Sequence, residues 1–159
     1  DYYKNFNNIK LYFKKFLDKT PSFGKSLLCL DDHNLREVIR KIKNKNFLTY
    51  GFHKKSNYQI TNVKKNKSFS KFDLRIKILG KMNTLIKNVQ INLLGDHNIT
   101  NSAGSIAIAL NLGININIIK KALKKFTGIQ RRFYYSLRKA KRICRRLNFR
   151  TFFKHEILT

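Results

Sequence analysis

The stretch Leu94-Gly95-Asp96-His97-Asn98 decides the fold of this chain, because it joins an apolar segment to a helix through a single glycine. Gly95 has no Cβ and can take backbone dihedrals that are closed to other residues, so the chain can turn sharply there. A helix is expected just after the turn, and its first backbone N–H groups are free to hold a polar ligand. The stretch therefore predicts a ligand site at a helix N-terminus.

Two helices in tandem are predicted after this turn. Over residues 98–110 apolar side chains recur at helical spacing with small residues between them, and Gly113 stands where a C-terminal cap belongs. The small residues indicate a helix that packs closely on a sheet. Asn115 is the expected N-cap of a second helix over 116–126, which has one apolar stripe and lysines mostly outside it.

The segments before the turn predict an α/β fold. We expect an amphipathic, packing helix over 5–18, an apolar strand at 26–30, a helix over 35–42 and a second strand at 47–52. Strand, helix and strand in this order indicate a parallel pair joined by a crossover. Residues 58–94 change to shorter alternating stretches. The expected architecture is a partial, mostly parallel sheet with packed helices plus a small antiparallel meander.

The composition limits the function only weakly. A net charge of +27 suggests a nucleic-acid partner, because clustered Lys and Arg release counterions from phosphates. The chain is also rich in Asn, Ile, Phe and Tyr, as an AT-rich coding sequence gives whatever the function, so the charge carries little weight. There is no apolar run of about 18 residues and no signal-peptide pattern, so we expect no membrane span and a cytoplasmic location.

The motif Gly24-Lys25-Ser26 resembles the end of a phosphate-binding loop but fails as one. Lys19 stands where the first glycine of the motif is required. A true loop also opens a helix, whereas Lys25 precedes an apolar run that predicts a strand. We therefore expect no phosphate loop here.

Other polar residues are expected to have structural or solvated roles. Asp31, Asp32 and His33 could be imagined as a metal cluster, but adjacent acids before an apolar helical stripe are typical of helix caps. Two isolated histidines are expected in solvent and two cysteines as free thiols: His53, His155, Cys29 and Cys144.

His97 and Asn98 are the strongest candidates for binding a ligand. A flat imidazole can stack on a base, and an Asn amide offers the paired acceptor and donor that adenine's Hoogsteen edge requires. The alternative is that Asn98 only caps the helix. Arg131 and Arg132 are similarly ambiguous, because guanidinium groups suit phosphate oxygens but arginines at the end of a basic helix usually face solvent.

Five motifs follow one another over residues 1–133. Asp1-Tyr2-Tyr3 is similar to the end of D-H-x-D-x-Y, residues 13–32 are similar to F-x-x-F-x-x-x-x-P-x-x-G-x-x-x-x-C-x-D-D, and Thr49-Tyr50-Gly51-Phe52 is similar to T-Y-G-F. The pattern G-x-H-N-x-x-N-x-x-A-A is met by Gly95, His97, Asn98, Asn101 and Gly104-Ser105, and the pattern G-x-x-R-R-F by Gly128, Arg131, Arg132 and Phe133. Taken in this order, the motifs resemble those of the Mur ligase family.

The resemblance implies that residues 1–133 are the C-terminal half of a central ATP-binding domain. By the same resemblance His97 and Asn98 contact adenine and Arg132 faces the ATP phosphates, while no catalytic or metal-binding residue is expected in this chain. The implied reaction uses ATP and Mg²⁺ to phosphorylate the carboxylate of UDP-N-acetylmuramate, which the amine of L-alanine then attacks. This is a ligase step of peptidoglycan biosynthesis, and so of cell wall biogenesis, cell shape and cell division.

The chain also departs from the family pattern. Asp96 stands where a basic residue is usual, and the family's phosphate loop and magnesium-binding acids would precede Asp1. No methionine occurs before Met82, which predicts a fragment. The missing phosphate loop and magnesium-binding acids imply that this fragment is not competent alone. The expected D-D-Y-x-H-H-P segment does not follow Phe133, and a basic tail at 134–159 takes its place. A shift of reading frame or a decayed gene would explain this tail.

A small basic nucleic-acid-binding protein of ribosomal type is the alternative function. The net charge, the 13% of aromatic residues and the arginines of the tail favour it, and the tail could bind nucleic acid non-specifically. Against it, the aromatic residues in 1–126 lie largely on helical apolar stripes and therefore look like core.

Overall fold

Five strands form one mixed sheet in the order β1-β2-β3-β4-β5 in the computed structural model, which describes residues 5–43, 46–80 and 82–128. β1, β2 and β3 run parallel, and β3, β4 and β5 run antiparallel. The predicted α/β fold is confirmed, and the meander continues the same sheet as the parallel pair. The strands are β1 (Ser26–Cys29), β2 (Phe47–Gly51), β3 (Tyr58–Lys65), β4 (Ser70–Ile76) and β5 (Thr84–Ile91).

Helices cover both faces of this sheet, within a compact unit that ends at Phe126. They are α1 (Phe6–Asp18), α2 (His33–Lys41), α3 (Asp96–Asn111) and α4 (Ile116–Lys125). A polar side chain caps three of them by accepting a hydrogen bond from a first-turn backbone N–H, as is usual at a helix start. These caps are Asn5 for α1, Asp32 for α2 and Asn115 for α4.

α3 ends in the glycine cap that the sequence predicts. Gly113 takes a positive φ of 80°, which suits a residue without Cβ. The Gly113 N–H donates to the Leu110 carbonyl at 3.1 Å, and the Ile114 N–H donates to the Ala109 carbonyl at 3.0 Å. These two bonds satisfy carbonyls that the helix leaves unpaired, so α3 stops there and α4 can start after Asn115.

The register of β3 positions the meander. β3 begins opposite the last residues of β2, with Tyr50 beside Tyr58 and Gly51 beside Gln59. The meander therefore extends beyond the carboxyl ends of β1 and β2, and it leaves open space above those ends.

The core has two parts, one on each side of the sheet. The larger part joins α3 and α4 to the meander and to Leu48, and it includes fully buried side chains of β4 and β5 such as Phe72 and Val89. The smaller part joins α1 and α2 to β1 through four buried residues. Gly104 of α3 lies so close to the sheet that a Cβ there would be 3.0 Å from the Tyr50 ring, which confirms the predicted close packing.

α1 packs less completely than its sequence predicts. Leu17 is 3% exposed and belongs to the smaller core. Ile9, Phe13 and Phe16 share the predicted apolar face, yet they are 43%, 39% and 68% exposed. The reason is that α2 and β1 contribute only a small buried cluster, which contacts α1 at its C-terminal end.

Asp73 on β4 links irregularities in both neighbouring strands. Its carboxylate accepts a hydrogen bond from the Asn62 amide at 2.8 Å and another from the Asn88 backbone N–H at 2.8 Å. Asn62 and Asn88 have positive φ values of 51° and 56°, and the strand register shifts beside each of them. One carboxylate thus holds two β-bulges, one on each side of β4.

The stability of this arrangement is expected to fall in acid. The bond from Asn62, then that from Asn88, holds the pKa of Asp73 below its ordinary value. Because the folded state favours the ionised carboxylate of Asp73, this group stabilises the fold at neutral pH, and that contribution is lost as the pH falls below about 4. We expect Asp73→Asn to lower the free energy of unfolding by about 0.5–1 kcal/mol at neutral pH, with less difference near pH 3. Urea unfolding at both pH values measures this, and a difference that does not change with pH contradicts it.

Candidate functional site

An open cavity of about 790 Å³ lies above the carboxyl ends of β1 and β2. Ligands of open α/β sheets bind preferentially at this edge, because loops and helix N-termini meet there. The walls come from the segments after β1 and β2 and from the first turn of α3. Its lining residues are Asp31, Arg36, Phe52, His53, Lys54, Lys55, Asp96, His97 and Thr100.

Gly95 forms the turn that brings His97 to the cavity. Its φ of 96° belongs to the region that favours glycine, as the sequence predicts. The His97 imidazole folds back over this residue, so that a Cβ on Gly95 would be 3.1 Å from the ring. α3 starts at Asp96 without a side-chain cap bond. His97 itself is exposed and lines the cavity, as a base-stacking residue must.

Asn98 is half-buried in the first turn of α3 and is not its N-cap. Its Nδ2 donates to the Leu94 carbonyl at 2.7 Å, which ties the turn together. This bond uses one of the two N–H groups of the amide. Within residues 5–43, 46–80 and 82–128 the second N–H and the Oδ1 acceptor have no hydrogen-bond partner, and they are the pair that the Hoogsteen edge of adenine requires, although Asn98 is not one of the residues that line the cavity.

Asp31 connects the ends of β1 and β2. Its two carboxylate oxygens accept hydrogen bonds from the backbone N–H groups of Phe52 at 3.1 Å and His53 at 3.0 Å. Gly51, with a φ of 135°, lies so close that a Cβ there would be 2.6 Å from the Asp31 carboxylate. Of the two adjacent acids expected to cap a helix, Asp32 caps α2, whereas Asp31 fixes the loop after β2.

Charged groups of both signs surround the cavity. Arg36, Lys54 and Lys55 are its cations, and Asp31 and Asp96 are its acids. Asp96 forms an ion pair with Lys65 at 2.7 Å, so this acid has a partner from the end of β3. Exposed pairs of this kind contribute little to stability.

Sequence reasoning missed several residues of this site. His53 is half-buried and lines the cavity rather than lying free in solvent, and its Nδ1 accepts the Lys55 N–H at 3.2 Å. Arg36 also lines the cavity, and no motif of the sequence points to it. The signal available for His53 was its position just after the predicted strand at 47–52, since strand ends meet at one edge of a sheet. Arg36 lies inside the predicted helix over 35–42 and carries no such signal.

Other expectations have mixed outcomes. β1 begins at Ser26, so Lys25 precedes a strand and the phosphate loop is correctly excluded. Cys29 is a free, half-buried thiol, and burial raises its pKa.

Four residues of the sequence analysis lie outside the described residues: Arg131, Arg132, His155 and Cys144. Among the residues that are described, no three His, Cys, Asp or Glu side chains are grouped to hold a metal ion, and none of their helices is long and apolar enough to cross a membrane.

Comparison with known proteins identifies relatives of this architecture. The family model described as the Mur ligase middle domain matches residues 1–109. A protein of Pelagibacter ubique named UDP-N-acetylmuramate–L-alanine ligase is 49% identical over 133 residues, covering 84% of this chain and 29% of that protein. A protein of the same name from Dictyoglomus turgidum is 40% identical over 132 residues, covering 83% of this chain and 27% of that protein.

Solved structures share the fold at lower identity. The crystal structure of MurF from Acinetobacter baumannii matches with a TM-score of 0.62 and 18% identity, over 80% of this chain and 26% of that one. A Neisseria meningitides structure of UDP-N-acetylmuramate:L-alanyl-gamma-D-glutamyl-meso-diaminopimelate ligase matches with a TM-score of 0.58 and 19% identity, over 81% of this chain and 37% of that one. The chain thus spans well under half the length of these relatives.

Proposed function

Because this chain belongs to the Mur ligase middle domain family, we propose that it forms the adenine-binding part of the ATP site of a ligase. The ligase would join L-alanine to UDP-N-acetylmuramate in peptidoglycan synthesis, as the names of the two curated relatives indicate for those proteins. The observation that carries the proposal is the open cavity above β1 and β2, with the exposed His97 imidazole in its wall.

The geometry of the first turn of α3 supports adenine binding. The His97 ring is held beside Gly95 and is accessible from the cavity, so a base can stack on it. Asn98 is fixed by its bond to Leu94, and its remaining amide groups can accept from the N6 amine of adenine and donate to N7. Such a rigid amide loses little side-chain entropy when the ligand binds.

The phosphate end of the ATP site would need further parts. In the proposed ligase, groups of the protein would bind the ATP phosphates, and positive side chains among them would stabilise the charge that develops on a transferring phosphoryl group. Arg132 is our proposed phosphate contact, on the basis of the G-x-x-R-R-F motif alone. The described residues do not fit a metal site, since they hold no cluster of three candidate ligands. We propose that residues 1–133 carry this half-site and that the chain alone does not turn over.

The nucleic-acid alternative gains no support from these relatives. Some aromatic side chains, such as those of Phe72 and Tyr58, are 1% and 2% exposed and cannot stack on bases, whereas those of Phe16 and Phe23 are exposed. The net charge and the arginines of the tail remain the main arguments for this alternative.

Alanine substitution tests whether this half-site binds adenine. We expect His97→Ala and Asn98→Ala each to weaken the binding of adenosine and ATP to the 159-residue chain by about tenfold or more, because each removes a direct contact with the base. Isothermal titration calorimetry measures both affinities. Asn117→Ala, at an exposed position on α4, is the matched control and should have no effect. Unchanged affinity in both variants at the site would refute adenine binding there.

A further inference from the structure

Arg36 places a guanidinium in the wall of the same cavity as His97. We propose that Arg36 binds a phosphate group of the nucleotide whose base lies on His97. This inference rests on the proposed function and adds to it a residue that no family motif discussed above contains. It also gives a phosphate-binding role to the second side of the cavity, which is formed by the end of β1 and the start of α2.

The guanidinium is held in a fixed position by the backbone. Nη1 of Arg36 donates to the carbonyl of Leu30 at 2.6 Å and to that of Asp31 at 3.1 Å. An arginine has five N–H donors in a rigid planar arrangement, and these contacts use only the donors of Nη1. Nη2 and Nε have no hydrogen-bond partner among the described residues, so they are available to an anion. A planar pair of donors matches two phosphate oxygens.

The acids of the cavity are engaged elsewhere. Asp31 accepts two backbone N–H bonds from the loop after β2, and Asp96 pairs with Lys65. Arg36, Lys54 and Lys55 form no ion pair within the described part of the chain. A phosphate that enters therefore meets three cations and two carboxylates that already have partners, and the local charge favours its binding despite those two acids.

Arg36 could instead be purely structural, since its two bonds join α2 to the end of β1. The two roles predict different binding data. A structural residue would affect every ligand of the cavity alike, whereas a phosphate contact would affect AMP and leave adenosine unchanged. The ratio of the two dissociation constants therefore separates the roles, even if a variant is somewhat less stable.

The test compares adenosine, AMP and inorganic phosphate on the 159-residue chain by calorimetry in about 0.15 M salt. We expect Arg36→Gln to weaken AMP about 10- to 100-fold, the loss typical of a charged hydrogen bond, and to change adenosine less than about twofold. Arg36→Lys should recover part of the loss, because it keeps the charge but not the paired donors. Arg40→Gln is the matched control, since Arg40 is exposed on the same helix and does not line the cavity.

Each outcome decides one question. Equal weakening of adenosine and AMP by Arg36→Gln, or no change in either, overturns the inference, and so does an equal effect of Arg40→Gln. If phosphate alone binds as tightly as AMP, the anion is not part of a nucleotide and the inference is also overturned. If His97→Ala leaves adenosine binding intact, or the chain binds neither adenosine nor AMP, the proposed function fails. If adenosine binding requires His97 but the preference for AMP over adenosine does not depend on Arg36, only the inference about Arg36 is overturned and the proposed function stands.

Discussion

Replacing Gly51 by alanine is expected to lower the free energy of unfolding by about 3 kcal/mol. The φ of 135° at this residue is a conformation that side chains strain, and a Cβ there would be 2.6 Å from both oxygens of Asp31. Asp31 cannot simply rotate away, because its oxygens hold the N–H groups of Phe52 and His53. Moving it would release the loop that lines the cavity. Nucleotide binding should therefore fall together with stability.

Urea unfolding monitored by circular dichroism measures this effect, and Gly80→Ala is its matched control. Gly80 also has a positive φ, 76°, but an added Cβ would find nothing within 4 Å. Gly80→Ala should therefore lower the free energy of unfolding only by the cost of backbone strain, about 1 kcal/mol. If Gly51→Ala loses no more stability than Gly80→Ala, the contact between Gly51 and Asp31 is not important.

Phe72→Ala should produce the largest loss of stability, about 4 kcal/mol, because it empties the centre of the larger core. Phe72 is 1% exposed on β4, between β3 and β5, and it packs among side chains of the sheet and of α3 and α4. A small domain has only about 5–15 kcal/mol in total, so this change removes a large share of the stability of the domain.

Thermal and urea unfolding of Phe72→Ala, Phe72→Leu and Phe23→Ala test this prediction together. Phe23 is 92% exposed, so its substitution should change stability by less than about 0.5 kcal/mol. Leucine at position 72 keeps most of the apolar volume and should lose less than alanine. Similar losses for Phe72→Ala and Phe23→Ala would mean that the core is not centred on β4.

The secondary structure was predictable because local residues determine it. Asn115 caps α4 by its own side chain, and Gly95 and Gly113 take the positive φ values that glycine permits. Apolar spacing alone indicated the strand, helix and strand that form the parallel pair. The incomplete packing of α1 could not be predicted in this way, because periodicity shows which face is apolar but not whether a partner covers it.

The site was predictable only where its residues are neighbours in the sequence. His97 and Asn98 follow the glycine turn directly, so the sequence offers both as candidates, and the structure places His97 in the wall of the cavity. Asp31 was not, because two adjacent acids precede α2 and only the folded chain shows that the first bonds the loop after β2. Arg36 lines the cavity because the end of β1 and the start of α2 meet there, which no local spacing determines.

The exposed apolar face of α1 affects how the protein molecules interact with one another in solution. Exposed apolar side chains such as Ile9, Phe13 and Phe16 attract one another between molecules, while the net charge of +27 keeps the molecules apart. Dissolved salt shortens the range of that repulsion to about 8 Å at physiological ionic strength and leaves the apolar attraction in place. We therefore expect this polypeptide to stay dispersed better in dilute buffer than in concentrated salt.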